Sequence, residues 1–358
     1  MSDASRAGDG PADFRPGAWL QGTGPDSDIA ICTRARLARN LQGFAFSPTL
    51  EDEESERLYR YIVDRLEQPG MPEKLNVVDL DPVDDLERSM LVERHLISRE
   101  LASCERHTGV AVDYDESVAI MINEEDHLRA QVFSSGLQPD DVWQRIERLD
   151  DALMQRLPMA WSEEFGFLTS CPTNTGTGLR LSVMLHLPGL VWSEDVDRAT
   201  NVCQKIHLAV RGLYGEGSRA LGDFYQVSNQ ITLGRDEARI REDVMLAVGR
   251  IVKWEQDVRE ALLRGSARCT RSRVFTRALG TLERAQILTS EEALGCLSAL
   301  RFGVHTGLVE GFDPQNVNRA LLLSQPAHLQ RYTRETLAPE ERDQRRAQLL
   351  RELLGCTP

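Results

Sequence analysis

Lysine is almost missing from this 358-residue chain: Lys74, Lys205 and Lys253 are the only three among 42 basic residues, and the other 39 are arginines. With so many arginines, R-x-R pairs arise by chance, so spacing and context must mark a site. Cysteines number seven, are scattered, and never form C-x-x-C; the histidines form no H-E-x-x-H pair. That excludes a disulfide framework and a zinc site, leaves no metal-ligating residues to nominate, and fits a reducing cytoplasm. No apolar run approaches the roughly 18–20 residues that cross a bilayer, so no membrane role is expected. The N-terminus, MSDASRAGDGPADFRPG, lacks a basic start and apolar core, and residues 1–24 read as a flexible tail. Also missing are G-x-x-x-x-G-K-[ST], G-x-G-x-x-G after a strand, and the H-R-D and D-F-G pair. A net charge of −14 argues against nucleic acid as a partner.

What is present is a mixture of strands and helices without strict alternation. Asp28–Cys32, Val77–Leu80, Val118–Ile122, 127–132, 179–187 and 225–233 read as strands. Leu58, Tyr61, Ile62 and Leu66 have helical spacing, as do Val142, Ile146, Leu149, Leu153 and Leu157, and later Ile240, Val244, Ala247, Ile251 and Val258. Residues 86–95 read as helix, and a helix begun near Ser193 is expected to run to Val210. The pattern favours an α+β fold built on an antiparallel sheet, residues 25–259, followed by a smaller all-helical domain, residues 260–358.

Four segments join strand-like or loop sequence to arginine, carboxylate or glycine: CTRARLARN (32–40), INEEDHLRAQ (122–131), CPTNTGTGLR (171–180) and RGLYGEG (211–217). Arg34 and Arg36 are two apart on a strand and share a face. The same alternation puts Glu125, His127 and Arg129 together and turns Glu124 away. Guanidinium forks suit multidentate capture of phosphate oxygens. Singly, each segment has an ordinary explanation: surface arginines, a solvated acidic turn, a flexible glycine turn, a buried structural thiol at Cys171. Their combination carries the signal.

In order and spacing these segments resemble the signature stretches of the phosphagen (guanidino) kinase family. Within the family the chain is more similar to bacterial members that act on arginine in proteins, through GPDSDIAICTRARLARN, LVERHLIS and RDQRRA as well. The likeness runs from about Gly24 to Leu353. It implies a glutamine-synthetase-like catalytic domain with helices flanking a central antiparallel sheet. It also implies ATP as phosphoryl donor, with Mg2+ held mainly by the nucleotide phosphates. The implied ATP-binding residues are Cys32, Thr33, Arg34, Ala35, Arg36, His95, Arg129, Arg180, Leu181, Ser182, Val183, Met184, Arg211, Gly212, Leu213, Tyr214, Gly215 and Glu216. Of these, Arg34, Arg36, Arg129, Arg180 and Arg211 would cradle the phosphates. Glu125 and Glu216 would grip the acceptor guanidinium, Glu125 taking its proton, and Cys171 would sit beside it in a positioning and electrostatic role with its pKa lowered by arginines.

Arg342, Asp343, Arg346 and Ala347, in RDQRRA, would form a regulatory phosphoarginine pocket; without the resemblance, Asp343 and Arg346 are an intrahelical ion pair. Kinases of free guanidino compounds have a helical N-terminal domain of roughly a hundred residues, whereas this chain reaches TRAR by Arg34. That points to protein substrates with accessible arginines. Marking of proteins for Clp-type proteolysis, control of heat-shock repressors, an activator protein, a Clp unfoldase or protease as partner, and a homodimer or larger assembly through the C-terminal helices all follow as expectations. The competing readings are a kinase of free arginine or another small guanidine, and a phosphoarginine-binding adaptor.

Overall fold

The computed structural model describes residues 15–212, 221–264 and 266–355. Ten strands are found among them: β1 (Ala30–Arg39), β2 (Leu75–Asp79), β3 (Gly109–Asp113), β4 (Val118–Ile122), β5 (Leu128–Ser135), β6 (Trp161–Ser162), β7 (Gly166–Phe167), β8 (Leu179–His186), β9 (Leu208–Gly212) and β10 (Phe224–Asn229). All but β6 and β7 form one antiparallel sheet in the order β2-β3-β4-β5-β1-β8-β10-β9. The TRAR strand β1 is central, hydrogen-bonded to β5 on one side and β8 on the other.

Around the sheet lie α1 (Asp52–Leu66), α2 (Asp85–Glu93), α3 (Arg99–Ala102), α4 (Pro139–Met154), α5 (Pro188–Trp192), α6 (Val196–Lys205) and α7 (Glu237–Leu263). Five helices follow: α8 (Ser266–Arg284), α9 (Ser290–His305), α10 (Pro314–Leu323), α11 (Pro326–Thr333) and α12 (Pro339–Leu353). No helix among the described residues is long and apolar enough to cross a membrane.

The two faces of the sheet have opposite chemistry. On one, Leu37, Val132, Leu181 and Val183 join Leu58 and Ile62 of α1, Ile146 and Leu149 of α4, and Val244 and Val248 of α7 in a single apolar core. On the other, Cys32, Phe133, Met184 and Phe224 pack beneath Leu294, Leu297, Leu321 and Leu322 of the C-terminal helices. These helices cover only part of that face; α2 and α3 cover Val112, Ala119 and Met121 with Leu91 and Leu101, and the arginines occupy the uncovered part.

Four expectations change. The tail does not extend to residue 24, because Trp19 and Leu20 are buried with the C-terminal leucines, in a turn over Ala18–Leu20. The helix expected to reach Val210 stops at Lys205, and Leu208–Gly212 is strand β9, hydrogen-bonded to β10. The helix expected to reach His95 ends at Glu93, and His95 adopts a left-handed φ of 59°. The expected domain boundary at 259/260 lies inside α7, which is continuous.

Candidate active site

Cross-strand partners in a sheet project to the same face. Arg36 lies opposite Arg180 on β8 and Gln131 on β5, and Arg34 lies opposite Ser182 and Phe133. Arg129 is two residues before Gln131, and Arg211 lies opposite Gln226, which in turn faces Met184. Register alone therefore brings Arg34, Arg36, Arg129, Arg180 and Arg211 to one face. Ser182 shares it. Ala35, Leu181 and Val183 belong instead to the apolar core behind, and Thr33 donates to the Gly136 carbonyl at 2.7 Å. Cys32 and Met184 sit under the C-terminal helices. In the runs 32–36 and 180–184, only alternate side chains therefore reach the groove.

So many cations side by side are costly. Burial, then the charges of Arg34, Arg129 and Arg180, push the Arg36 guanidinium well below its ordinary pKa. Burial pushes Arg34 down to about 10. Arg34 donates to Gln226 Oε1 at 3.0 Å and lies 5.6 Å over the Phe133 ring. Arg180 Nε donates to the Asn229 carbonyl at 3.4 Å. Arg36 Nε is buried with no hydrogen-bond partner. A buried donor left unpaired costs about 1–3 kcal/mol, and an oxyanion in the groove would supply both the missing acceptor and the missing negative charge.

His95 lies beside this groove. Burial, together with Arg34, Arg36 and Arg99, holds its pKa down at about 3, so its ring is neutral. It packs edge-on to Trp19, centroids 4.6 Å apart, and its carbonyl accepts from Gln131 Nε2 at 2.9 Å.

The acidic segment departs from strand alternation. Residues 123–127 are a loop before β5, entered through Asn123 at φ 61°. Glu124 is buried and paired with Arg129 at 2.6 Å instead of turning away. Burial would raise its carboxyl pKa, but Arg129 overrides this and holds it below the usual value. His127 does not share a face with Glu125 and Arg129. Its Nδ1 accepts from Leu41 N at 3.0 Å and its Nε2 lies 2.9 Å from the Ala45 carbonyl, so it anchors residues 41–45. Glu125 is exposed, and Asn174 donates to its Oε2 at 3.4 Å. Partial burial, with neighbouring Asp126, raises its pKa. A carboxylate so tuned suits a general base.

That contact ties Glu125 to the loop of Cys171, whose sulfur is 3.0 Å from the Thr173 hydroxyl. Composition singled out neither Asp126 nor Asn40, yet they hold the loop. Buried Asp126 Oδ1 accepts from Ser170 N and from Asn40 Nδ2, each at 2.7 Å, while Asn40 Oδ1 accepts from His127 N at 2.8 Å. Arg39 donates to the Thr177 carbonyl at 2.9 Å, pairs with Asp150 at 2.7 Å and lies 3.5 Å over the Phe167 ring. Thr232 Oγ1 donates to the carbonyls of Thr173 and Thr175 at 2.9 and 2.7 Å. The missed signal lay inside the motifs themselves: the R-N closing TRARLARN and the Asp closing NEED.

Gly212 ends β9, and Leu213, Tyr214, Gly215 and Glu216 lie outside the described residues. Among the described residues, the one group able to share a cation, Asp79, Asp81 and His107, stands at the outer edge of the sheet, away from the arginines. In RDQRRA, Asp343 and Arg346 form an ion pair across one helical turn. Arg346 is wholly buried, donating to the carbonyls of Ser324 and Leu288 at 2.7 and 2.8 Å, and Ala347 is in the core. Arg342 and Asp343 are the more accessible members.

The family model for the ATP:guanido phosphotransferase C-terminal catalytic domain matches residues 57–258, and that for the protein-arginine kinase McsB C-terminal domain matches residues 272–358. The chain is 41% identical to the protein-arginine kinase of Bacillus mycoides over 94% of this chain and 95% of that one. It is equally 41% identical to that of Brevibacillus brevis, over 94% of each. Among solved structures it resembles a lombricine kinase (TM-score 0.58, 22% identity, 71% of each chain). It also resembles the duplicated taurocyamine kinase of Schistosoma mansoni with transition-state-analogue components (TM-score 0.59, 24% identity, 76% of this chain and 39% of that one). The chain belongs to the ATP:guanido phosphotransferase family and, within it, to the protein-arginine kinases.

Proposed function

We propose that the chain transfers the γ-phosphoryl group of ATP to arginine side chains of proteins. The observation that supports this most is five arginines on one sheet face, with a buried, unpaired Arg36 Nε, beside the exposed Glu125 carboxylate. Phosphoryl transfer needs alignment and charge neutralisation more than covalent help from the protein. Arg34, Arg36, Arg129, Arg180 and Arg211 bind and orient the phosphates. A bound Mg2+ would add charge neutralisation on them. The acceptor guanidinium has a pKa above about 12 and is a weak nucleophile until it loses a proton. Glu125 Oε orients it and accepts that proton as the N–P bond forms; Glu216 is assigned the second carboxylate on sequence grounds. Cys171, on a loop pinned by Asp126 and Thr232, lines the guanidinium side.

Arg342 and Asp343 are proposed to recognise phosphoarginine, Asp343 taking the guanidinium, while buried Arg346 holds Asp343 in place. The same reading has the modification feeding Clp-type proteolysis and repressor control, through an activator protein and self-association.

The test is γ-labelled ATP with an unfolded, arginine-rich protein. Acid-labile label on arginine is expected, lost in Glu125→Ala and Glu216→Ala. Label only on serine or threonine, or saturable turnover confined to free arginine, would overturn the assignment.

A further inference from the structure

Three consecutive residues, Glu93-Arg94-His95, are each held by parts of the molecule distant in sequence. Glu93, the last residue of α2, reaches across to the start of α11. Its Oε1 accepts from Ala327 N at 2.8 Å, and its Oε2 accepts from His328 N at 3.0 Å and lies 2.6 Å from His328 Nδ1. The first turn of a helix leaves N–H groups without intrahelical partners, and a carboxylate placed there satisfies them with favourable charge. Arg94 pairs with Glu116 at 2.7 Å and lies 3.5 Å from His328 Nε2. His95 then turns left-handed, its ring on Trp19 and its carbonyl on Gln131.

Trp19 itself is packed among the C-terminal leucines. Both sides of His95, the backbone before it and the ring beneath it, therefore lean on the C-terminal helical region. A non-glycine residue at positive φ persists only where its surroundings hold it.

We propose that Glu93 is a positioning residue for the nucleotide: its clamp on α11 fixes His95 at the wall of the arginine groove, which makes the C-terminal helical region part of the ATP site. This rests on the reading of His95 as a nucleotide-contacting residue. Glu93 acts through His95 and touches neither phosphate nor acceptor. The link continues away from the site. Gln325, the residue before α11, follows Ser324, whose carbonyl accepts from Arg346 of RDQRRA.

The experiment compares full-length Glu93→Ala, Glu93→Gln, His328→Gln, His95→Ala and the Glu93→Ala/His95→Ala double variant. Steady-state kinetics are measured with ATP and with a protein acceptor varied separately. Releasing the clamp should raise KM for ATP about three- to tenfold while KM for the protein acceptor stays constant. Glu93→Gln, which keeps one acceptor oxygen, should restore part of the loss, and His328→Gln should show a smaller rise in the same constant. Because Glu93 acts through His95, the double variant should be no worse than His95→Ala alone. An unchanged KM for ATP in both Glu93 variants would overturn the proposal, as would equal losses toward both substrates or additive effects in the double variant. If His95→Ala itself leaves KM for ATP unchanged, the nucleotide reading of His95 fails and takes the clamp with it. If His95→Ala raises that KM and Glu93→Ala does not, the clamp alone fails. Glu93→Gln keeps the test decisive should Glu93→Ala fold poorly.

Discussion

The arginines of the groove and the arginines under the C-terminal helices are the same residue put to opposite uses. Arg301 of α9 is 1% exposed, and its fork is fully engaged: Asn318 Oδ1 at 3.1 Å, the Asp28 carbonyl at 2.7 Å, His186 Nδ1 at 3.0 Å and the Ser27 carbonyl. Arg346 is equally buried and engaged, and Arg259 is held by Glu255 and by the His186 carbonyl. In the groove, Arg36 has a bare Nε and three arginine neighbours. The first set ties helices to the sheet and to one another. The second stores unmet electrostatic demand that a polyphosphate can meet. Buried charge stabilises only where each polar atom finds a partner, so the difference separates holding the fold together from binding.

The sharpest way to break that contrast is to replace one arginine of each kind with methionine. Arg36→Met is expected to lower phosphotransfer by about a thousandfold, while thermal melting shows a Tm unchanged or higher, because a repelled charge has gone. Arg301→Met should do the reverse. It strands His186, Asn318 and two carbonyls, and should cost at least about 3 kcal/mol in urea unfolding; any rate change should only track the folded fraction. Equal destabilisation by both substitutions would erase the distinction.

Smaller effects sharpen it. Asp126→Asn should loosen the Ser170 and Asn40 anchors and lower kcat about ten- to a hundredfold, read in steady-state turnover with little change in ATP affinity. Its pH profile carries a second sign. Glu125 has a raised pKa, so its basic form is lost as pH falls through that raised value, and the acid limb of kcat/KM should lie above the ordinary carboxylate range of about 4.3. Removing the Asp126 charge should move that limb down. Smallest of all, Cys171→Ser should reduce turnover a few-fold without shifting Tm. Unchanged turnover would return Cys171 to the role of an ordinary loop residue.

Much of this was legible in the chain. Apolar continuity marked β4 and β8, and 3.6-residue spacing marked α1, α4 and α7, because each buries a whole face and must repeat its pattern. Leu208–Gly212 was not legible: five residues directly after an amphipathic helix continue its pattern until a neighbouring strand claims them. Trp19 and Leu20 were not either, since two apolar residues in a glycine- and proline-rich stretch have no period. Glu124 and His127 were misplaced because alternation holds only inside a strand, and Asn123 breaks the strand just before them.

By itself the sequence determined that Arg34 and Arg36 share a face, since the two-residue repeat of a strand is local geometry, and it determined that a carboxylate and a cysteine stand in motifs with arginines; strand register then added Arg129, Arg180 and Arg211 to that face. Only the tertiary structure decided which groups were left wanting. Whether Arg36 Nε is paired, whether Glu124 serves Arg129, and whether Asp126 serves the Cys171 loop depend on strands and loops distant in sequence. Burial and hydrogen-bond satisfaction are properties of the packed chain, and no local pattern records them.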